Sequence, residues 1–261
     1  MDLLPENSHP LIDNALDTAE IGISGVAIAL LVIFLWAIGL GFLFNVVNVS
    51  QTSLGWNIVA IAVQAFLYTG LFITAHDAMH GAILPKHPQI NKAIGSFALL
   101  AYGLFSYDRL LKTHWQHHHH PASDLDPDFH NGKWTNAVTW FIYFIVQYWS
   151  WLRFLGLGTV FYLMHKLCYI PEVNLILFWI IPSLLSSIQL FYFGTFLPHR
   201  QPQEGYADSL RTQSIYRPFW WSFLTCYHFG YHHEHHHYPN LAWWQLPKAV
   251  QQSRNSSIPR L

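Results

Sequence analysis

His228 to Pro239 reads HFGYHHEHHHYP, and six of those twelve residues are histidine. On a helix, His232, His235 and His236 fall at i, i+3 and i+4 and so share one face. His233 and His237 point elsewhere on the same helix. Three imidazoles converging from one face suit a metal ion, since neutral imidazole is a ligand for Zn, Cu, Fe and Ni. The spacing recurs upstream. His114, His117 and His118 repeat the His-x-x-His-His pattern, and His76 and His80 form a His-x3-His pair. Three such boxes, each with its imidazoles in helical register, point to helices that carry a shared metal site.

Composition says where those helices lie. Of 261 residues, 52% are hydrophobic and only 10% charged, and mean hydropathy is +0.22. That charge fraction is far below the roughly 25% usual for soluble domains. The net charge of −1 gives no basis for binding nucleic acid. Two cysteines, Cys168 and Cys226, stand far apart, which argues against a disulfide framework or a thiolate site. Setting His9, His87 and His165 aside from the 18 histidines leaves 15, all in or near the boxes.

Residues 1–20 are polar and slightly acidic, with no secretory signal pattern. Ile21–Phe44 and Trp56–Ala75 are apolar runs of 24 and 20 residues, each long enough to span a bilayer. The second run leads straight into His76. Lys86, Lys92, Arg109 and Lys112 follow, so by the positive-inside tendency this side is cytoplasmic. Ala93–Tyr107 is apolar for only 15 residues, which suits an interfacial or re-entrant segment. A crossing there would also put the first two boxes on opposite faces. Asn174–Leu197 is a further span, ending at His199. For the third box to rejoin the others, one more crossing is expected within 137–165, where Arg153 would be costly at mid-bilayer. The expected architecture is therefore an all-α integral membrane protein. It has about four transmembrane helices, interfacial helices, and a histidine-rich two-metal site at the cytoplasmic face. In domain terms these are a cytoplasmic segment 1–20, a membrane domain 21–250 and a tail 251–261.

The in-phase imidazoles number eight: His76, His80, His114, His117, His118, His232, His235 and His236. One first-row ion takes about four to six ligands, so eight suit two ions, and His199 is a candidate ninth. Imidazole ligands usually donate their second ring nitrogen to a carboxylate or carbonyl. Asp77, Glu234 and the Asp124, Asp126 and Asp128 group are placed to receive it, with a solvated turn around Pro127 as the alternative for the three aspartates. His120, His130 and His228 are read as hydrogen-bonding residues first and ligands second, and His119, His233 and His237 as out of phase. A metal carrier or transporter is the competing class. Transporters usually hold ionisable groups at the midplane, whereas these histidines gather at the ends of the apolar runs.

HDAMHG (76–81), HWQHHHHPASDLDPDFH (114–130), FGTFLPHR (193–200) and HFGYHHEHHHYPNLAWWQLP (228–247) together resemble the integral-membrane fatty acid desaturase and hydroxylase superfamily. Within it they look most like the bacterial and cyanobacterial β-carotene ketolases. The resemblance runs from about Trp56 to Pro247. It implies two non-haem irons held by the eight in-phase histidines, with His199 matching an extra histidine upstream of the last box. It also implies O2 as co-substrate and a carotenoid oxidised at C4 of its ring to a ketone. The electrons would come from an outside donor protein such as ferredoxin, because no haem or flavin motif occurs here. The boxes alone do not separate a ketolase from a carotenoid 3-hydroxylase or a fatty-acyl hydroxylase or desaturase. The words FGTFLPHR and PNLAWWQLP favour the ketolase.

Overall fold

A computed structural model describes residues 18–130 and 132–255. The expected N-terminal segment 1–20 and tail 251–261 fall mostly outside the described residues, as does His9. Among the described residues the chain is helical throughout, without strands. The long elements are α1 (Thr18–Asn45), α2 (Leu54–Met79), α3 (Pro88–Gly103), α4 (Tyr107–His119), α5 (Ala137–Gln147), α6 (Trp151–Leu167) and α7 (Glu172–His199). Three short α-helices follow, α8 (Phe219–Cys226), α9 (His232–His237) and α10 (Leu246–Asn255), and a 3-10 turn at Val49–Gln51 links α1 to α2.

The centre of the bundle is α2, which packs against α1, α3 and α7. Its start is fixed by Ser53, whose hydroxyl accepts the Trp56 N–H at 3.2 Å and so satisfies one of the helix's free donors. Polar side chains knit the apolar layer together. Thr69 on α2 donates to Gln189 Oε1 on α7 at 2.6 Å, and Gln189 Nε2 donates to the Thr225 carbonyl on α8 at 2.6 Å. At the opposite end of α7, the Asn174 amide donates to the Leu43 and Val47 carbonyls at 2.7 and 2.8 Å. Those two carbonyls belong to the C-terminal end of α1 and the link after it. Asn174 is buried, so its two donors close backbone acceptors that water does not reach.

Two prolines shape α7. Proline lacks the N–H and its ring crowds the carbonyl four residues back. Pro182 follows a π-turn at Ile176–Ile180, and Pro198 follows one at Tyr192–Phe196. Each widened turn lies where the displaced carbonyl needs room. The second brings Gly194 against the Phe229 ring, where an added Cβ would lie only 2.7 Å from a ring carbon. Any side chain at 194 would force that ring to shift.

Among the described residues, three helices are long and apolar enough to cross a membrane: Ser24–Asn45 within α1, α2, and α7. The expected crossing within 137–165 is not a single helix. It breaks at Tyr148–Ser150 into α5 of 11 residues and α6 of 17 residues, about 16 and 25 Å long at 1.5 Å per residue. Ser150 starts α6 by accepting the Arg153 N–H at 3.4 Å. The Arg153 charge that seemed costly in a span sits in this first turn. Its guanidinium donates to the Tyr148 carbonyl at 2.8 Å and lies 3.7 Å above the Phe105 ring, a cation–π contact.

The segment read as Ala93–Tyr107 starts earlier, with Pro88 in the first turn of α3. The helix stops at Leu104, whose left-handed φ of 57° lets its N–H reach back to the Leu99 and Leu100 carbonyls. After that reversal the Tyr107 hydroxyl donates to the Ala78 carbonyl at 3.0 Å, so α4 begins beside the end of α2. The first two boxes therefore meet.

Candidate metal centre

The last turn of α2, the second half of α4, the end of α7 and the whole of α9 converge. Nine imidazoles fall into two groups, and within each group the ligand atoms lie within 4.8 Å of one another. The first group is His76 and His80 from α2 and its cap, His114 and His118 from α4, and His235 from α9. The second is His117 from α4, His199 from α7, and His232 and His236 from α9. The helical period explains the division. On α4 the i, i+4 pair His114/His118 faces the first group while His117, between them, turns to the second. On α9 the i, i+4 pair His232/His236 faces the second group and His235 the first.

The ring nitrogens are spaced as ligands of a common ion. His80 Nε2 lies 2.7 Å from His114 Nε2, and His118 Nε2 lies 3.1 Å from His235 Nε2. His236 Nε2 lies 3.2 Å from both His117 Nε2 and His232 Nε2. Two nitrogens each about 2.1 Å from one ion, at a right angle, stand about 3 Å apart. His76 Nε2 and His199 Nε2 are buried with no hydrogen-bond partner. Burying such atoms unpaired costs about 1–3 kcal/mol each, and a metal removes that cost. The donor sets fit one first-row ion per group.

The outer ring nitrogens are partly held. Asp77 Oδ1 lies 3.1 Å from His76 Nδ1, and Asp77 Oδ2 accepts the Trp243 N–H at 2.9 Å. Asp126 spans His117 Nδ1 with both oxygens, at 2.9 and 3.0 Å. The same carboxylate accepts the Ala122 N–H at 2.8 Å and the Asp128 N–H at 2.9 Å. His199 Nδ1 donates to the Arg211 carbonyl at 3.3 Å. Burial, then repulsion from His117, pushes His114 down to about 3, and burial with neighbouring imidazoles holds His80, His118, His232, His235 and His236 well below the ordinary value. These rings are thus neutral, the form that binds metal. His117 departs from this pattern: burial lowers it, but the Asp126 charge and hydrogen bond outweigh burial and leave it raised.

A sequence profile of the fatty acid desaturase family matches residues 51–257. The chain belongs to the fatty acid desaturase family. It is 40% identical over 250 residues to zeaxanthin 4-ketolase of Chlamydomonas reinhardtii, a match covering 90% of this chain and 55% of that protein. It is 42% identical over 206 residues to a beta-carotene ketolase of Haematococcus lacustris, covering 76% of this chain and 63% of that one. A beta-carotene ketolase of Paracoccus sp. (strain PC1) is 41% identical over 195 residues, covering 74% and 78%. The chain thus spans a little over half the length of the first of these relatives.

In this member of the desaturase family, several residues expected to support the imidazoles do not reach them. Asp124 is exposed on the turn before Pro127. His120 is exposed because α4 ends at His119, as the residue before Pro121 avoids helical backbone. His228 is buried, but it pairs with Ser222 Oγ at 3.0 Å and stacks on Tyr231. Glu234 accepts the Tyr216 hydroxyl at 2.8 Å and the Ser214 hydroxyl, holding the 214–216 segment against α9 instead of orienting a histidine. Asp128 lies at the edge, 4.0 Å from His117 Nδ1, and accepts the Tyr148 hydroxyl. Of the out-of-phase rings, His119 and His237 are exposed and His233 faces Thr212 at 3.2 Å.

Sequence reasoning did not assign the walls of a cavity of about 930 Å³, counted out to its mouth, that opens against both groups. His76, His114, His117 and His232 form one end of its wall, and Phe72, Phe105, Phe144, Leu190 and Phe229 line much of the rest. Tyr148, Arg153 and Thr195 also line it. Only the FGTFLPHR word, with a glycine and threonine one turn ahead of His199, carried a sequence signal for any of these.

Proposed function

We propose that the chain is a membrane carotenoid ketolase, oxidising the C4 methylene of a β-ionone ring to a ketone. The observation that carries this reading is the apolar cavity that ends on four imidazoles from both groups. Its walls are mostly aromatic and aliphatic, the lining that suits an apolar ligand, and a hydrocarbon ring with a trailing polyene matches them. The names of the relatives supply the carotenoid and the 4-position.

Two irons would be held, one by His76, His80, His114, His118 and His235, the other by His117, His199, His232 and His236. When bound they supply O2 activation, with electrons from an external donor protein of the ferredoxin kind. Each oxygenation replaces one C4–H bond by C4–OH and consumes one O2, two electrons and two protons, releasing one water. A second round at the same carbon gives a geminal diol, which loses water to the ketone. The protein's part is to place the ring and keep water out. Phe72, Phe105, Phe144 and Phe229 do both, while Asp77 and Asp126 fix the tautomers of His76 and His117.

The helix ends support a fourfold crossing with the site at the cytoplasmic face. α2 ends at the imidazoles, whereas α7 begins at Asn174, bonded to the far end of α1. Ile170, just after α6, packs with Leu43, Phe44 and Val47 at that far end. The chain therefore travels from the imidazole side to the opposite side through α5 and α6, and Lys86, Lys92, Arg109 and Lys112 set the sidedness.

Expression of this chain alone in a bacterial host making β-carotene should yield echinenone and then canthaxanthin on pigment chromatography. Accumulation of 3-hydroxylated carotenoid in their place overturns the ketolase assignment.

A further inference from the structure

Two oxygenations at one carbon require that the alcohol from the first stay where its carbon was attacked. An alcohol is more polar than the methylene it replaces. In an apolar cavity it loses its water hydrogen bonds unless the wall supplies one. The polar groups lining the cavity, apart from the imidazoles, are Tyr102, Asp128, Tyr148, Arg153, Ser187 and Thr195. Five of them are engaged. The Tyr102 hydroxyl lies 3.3 Å from Ser186 Oγ, and Ser187 donates to the Leu184 carbonyl at 2.7 Å. Tyr148 donates to Asp128, and Arg153 donates to the Tyr148 carbonyl. The Thr195 hydroxyl has no hydrogen-bond partner among the described residues, although Thr195 is only 8% exposed.

Threonines in helices commonly return their hydroxyl to the carbonyl four residues back, as Thr113, Thr159 and Thr225 do here, at 2.8–3.0 Å. Thr195 lies in the π-turn Tyr192–Phe196 ahead of Pro198, and makes no such bond. It stands four residues before His199, on the same face of α7. Its neighbour Gly194 rests on the Phe229 ring, whose centroid is 5.3 Å from that of His232. Thr195 thus lines the same cavity as Phe229 and His232.

We propose that the Thr195 hydroxyl holds the C4 alcohol produced by the first oxygenation and retains the ring for the second. A hydroxyl suits this task because it can donate and accept at once. The inference rests on the ketolase reading and makes Thr195 a determinant of whether alcohol or ketone is released.

The test compares the unsubstituted chain with Thr195→Val, Thr195→Ala and Thr195→Ser in a β-carotene-producing host, measuring the ratio of C4 alcohols to C4 ketones. Valine keeps the shape and removes the hydroxyl, alanine guards against poor packing by valine, and serine restores the hydroxyl. The alcohol-to-ketone ratio should rise about fivefold in the valine and alanine variants, the effect of one neutral hydrogen bond, and return toward the original value in the serine variant. In the metal-free purified protein, the preference for a C4-hydroxylated carotenoid over β-carotene, read by competitive binding, should fall by a similar factor in the valine variant. An unchanged product ratio with ketone still formed, or an unchanged binding preference, overturns the role of Thr195 alone. Absence of any C4-oxygenated product from the unsubstituted chain overturns the ketolase reading and this inference with it.

Discussion

Replacing Asp126 by asparagine removes one oxygen's worth of acceptor from a carboxylate that has none to spare. Asp126 Oδ1 serves His117 Nδ1 at 2.9 Å and the Asp128 N–H at 2.9 Å. Oδ2 serves His117 Nδ1 at 3.0 Å and the Ala122 N–H at 2.8 Å. An amide of the same shape offers one oxygen and one NH2. With the oxygen in the Oδ1 place, the Ala122 N–H meets a donor; with it in the Oδ2 place, the Asp128 N–H does. Either way one backbone donor at a site only 6% exposed is left unpaired, and His117 loses its charged partner. Loss of such an outer partner typically weakens metal binding 10- to 100-fold, which is about 1.4–2.7 kcal/mol. The assay is iron retained per chain against a graded chelator for the unsubstituted protein, Asp126→Asn and Asp124→Asn. The last should behave as the unsubstituted protein because Asp124 is exposed. Iron held within twofold by a folded Asp126→Asn protein, or an equal loss in Asp124→Asn, refutes the reasoning.

Two further outcomes follow from the same geometry. Alanine at His235, which faces the first group from α9, should lose iron and activity, whereas alanine at exposed His237 should keep most of both; metal analysis with pigment turnover decides, and the reverse order would mean that helical register does not select the ligands. Single cysteines at Gln89 and Ser123, introduced after removal of Cys168 and Cys226, should both be shielded from an impermeant thiol reagent applied outside; labelling of only one would place α3 across the membrane and separate the boxes.

The register of the boxes was legible because it depends on a local period. Residues three and four apart share a face wherever the backbone is helical, so α4 and α9 expose their imidazoles as the spacing demands. The same rule, applied fully, excludes Glu234. It lies two residues from both His232 and His236, about 200° around the helix, and the structure finds it on the far side with Ser214 and Tyr216. His120 was excludable as well, since Pro121 ends the helix before it. The helical period separates His117 from His114 and His118, and His235 from His232 and His236, but which of them meet across the site was not legible, because that is set by how α4 and α9 approach each other. The break between α5 and α6 was hidden for a related reason. Trp134 to Ile170 is aromatic-rich and interrupted by Arg153, Gly156, Gly158 and His165–Lys166, so the sequence did not fix where a helix begins, and the Ser150 cap with the Arg153 contact to Phe105 marks the division.

Thr195 shows most clearly what a linear reading leaves out. Its distinguishing feature is a cavity-lining hydroxyl in a turn whose backbone is widened. Pro198 cannot donate to the carbonyl four residues back, so the preceding turn widens into the π-turn of Tyr192–Phe196. The widened turn seats Gly194 on Phe229 and leaves the Thr195 hydroxyl unreturned to its own helix. The short word Gly-Thr-Phe-Leu-Pro-His thus has one physical logic. Proline widens the turn, glycine admits the ring that meets His232, threonine is left with a free hydroxyl, and histidine, one turn on, turns into the second imidazole group. Each residue constrains the next. A substitution at Pro198 should therefore be felt at the cavity wall even though proline itself lines no part of it.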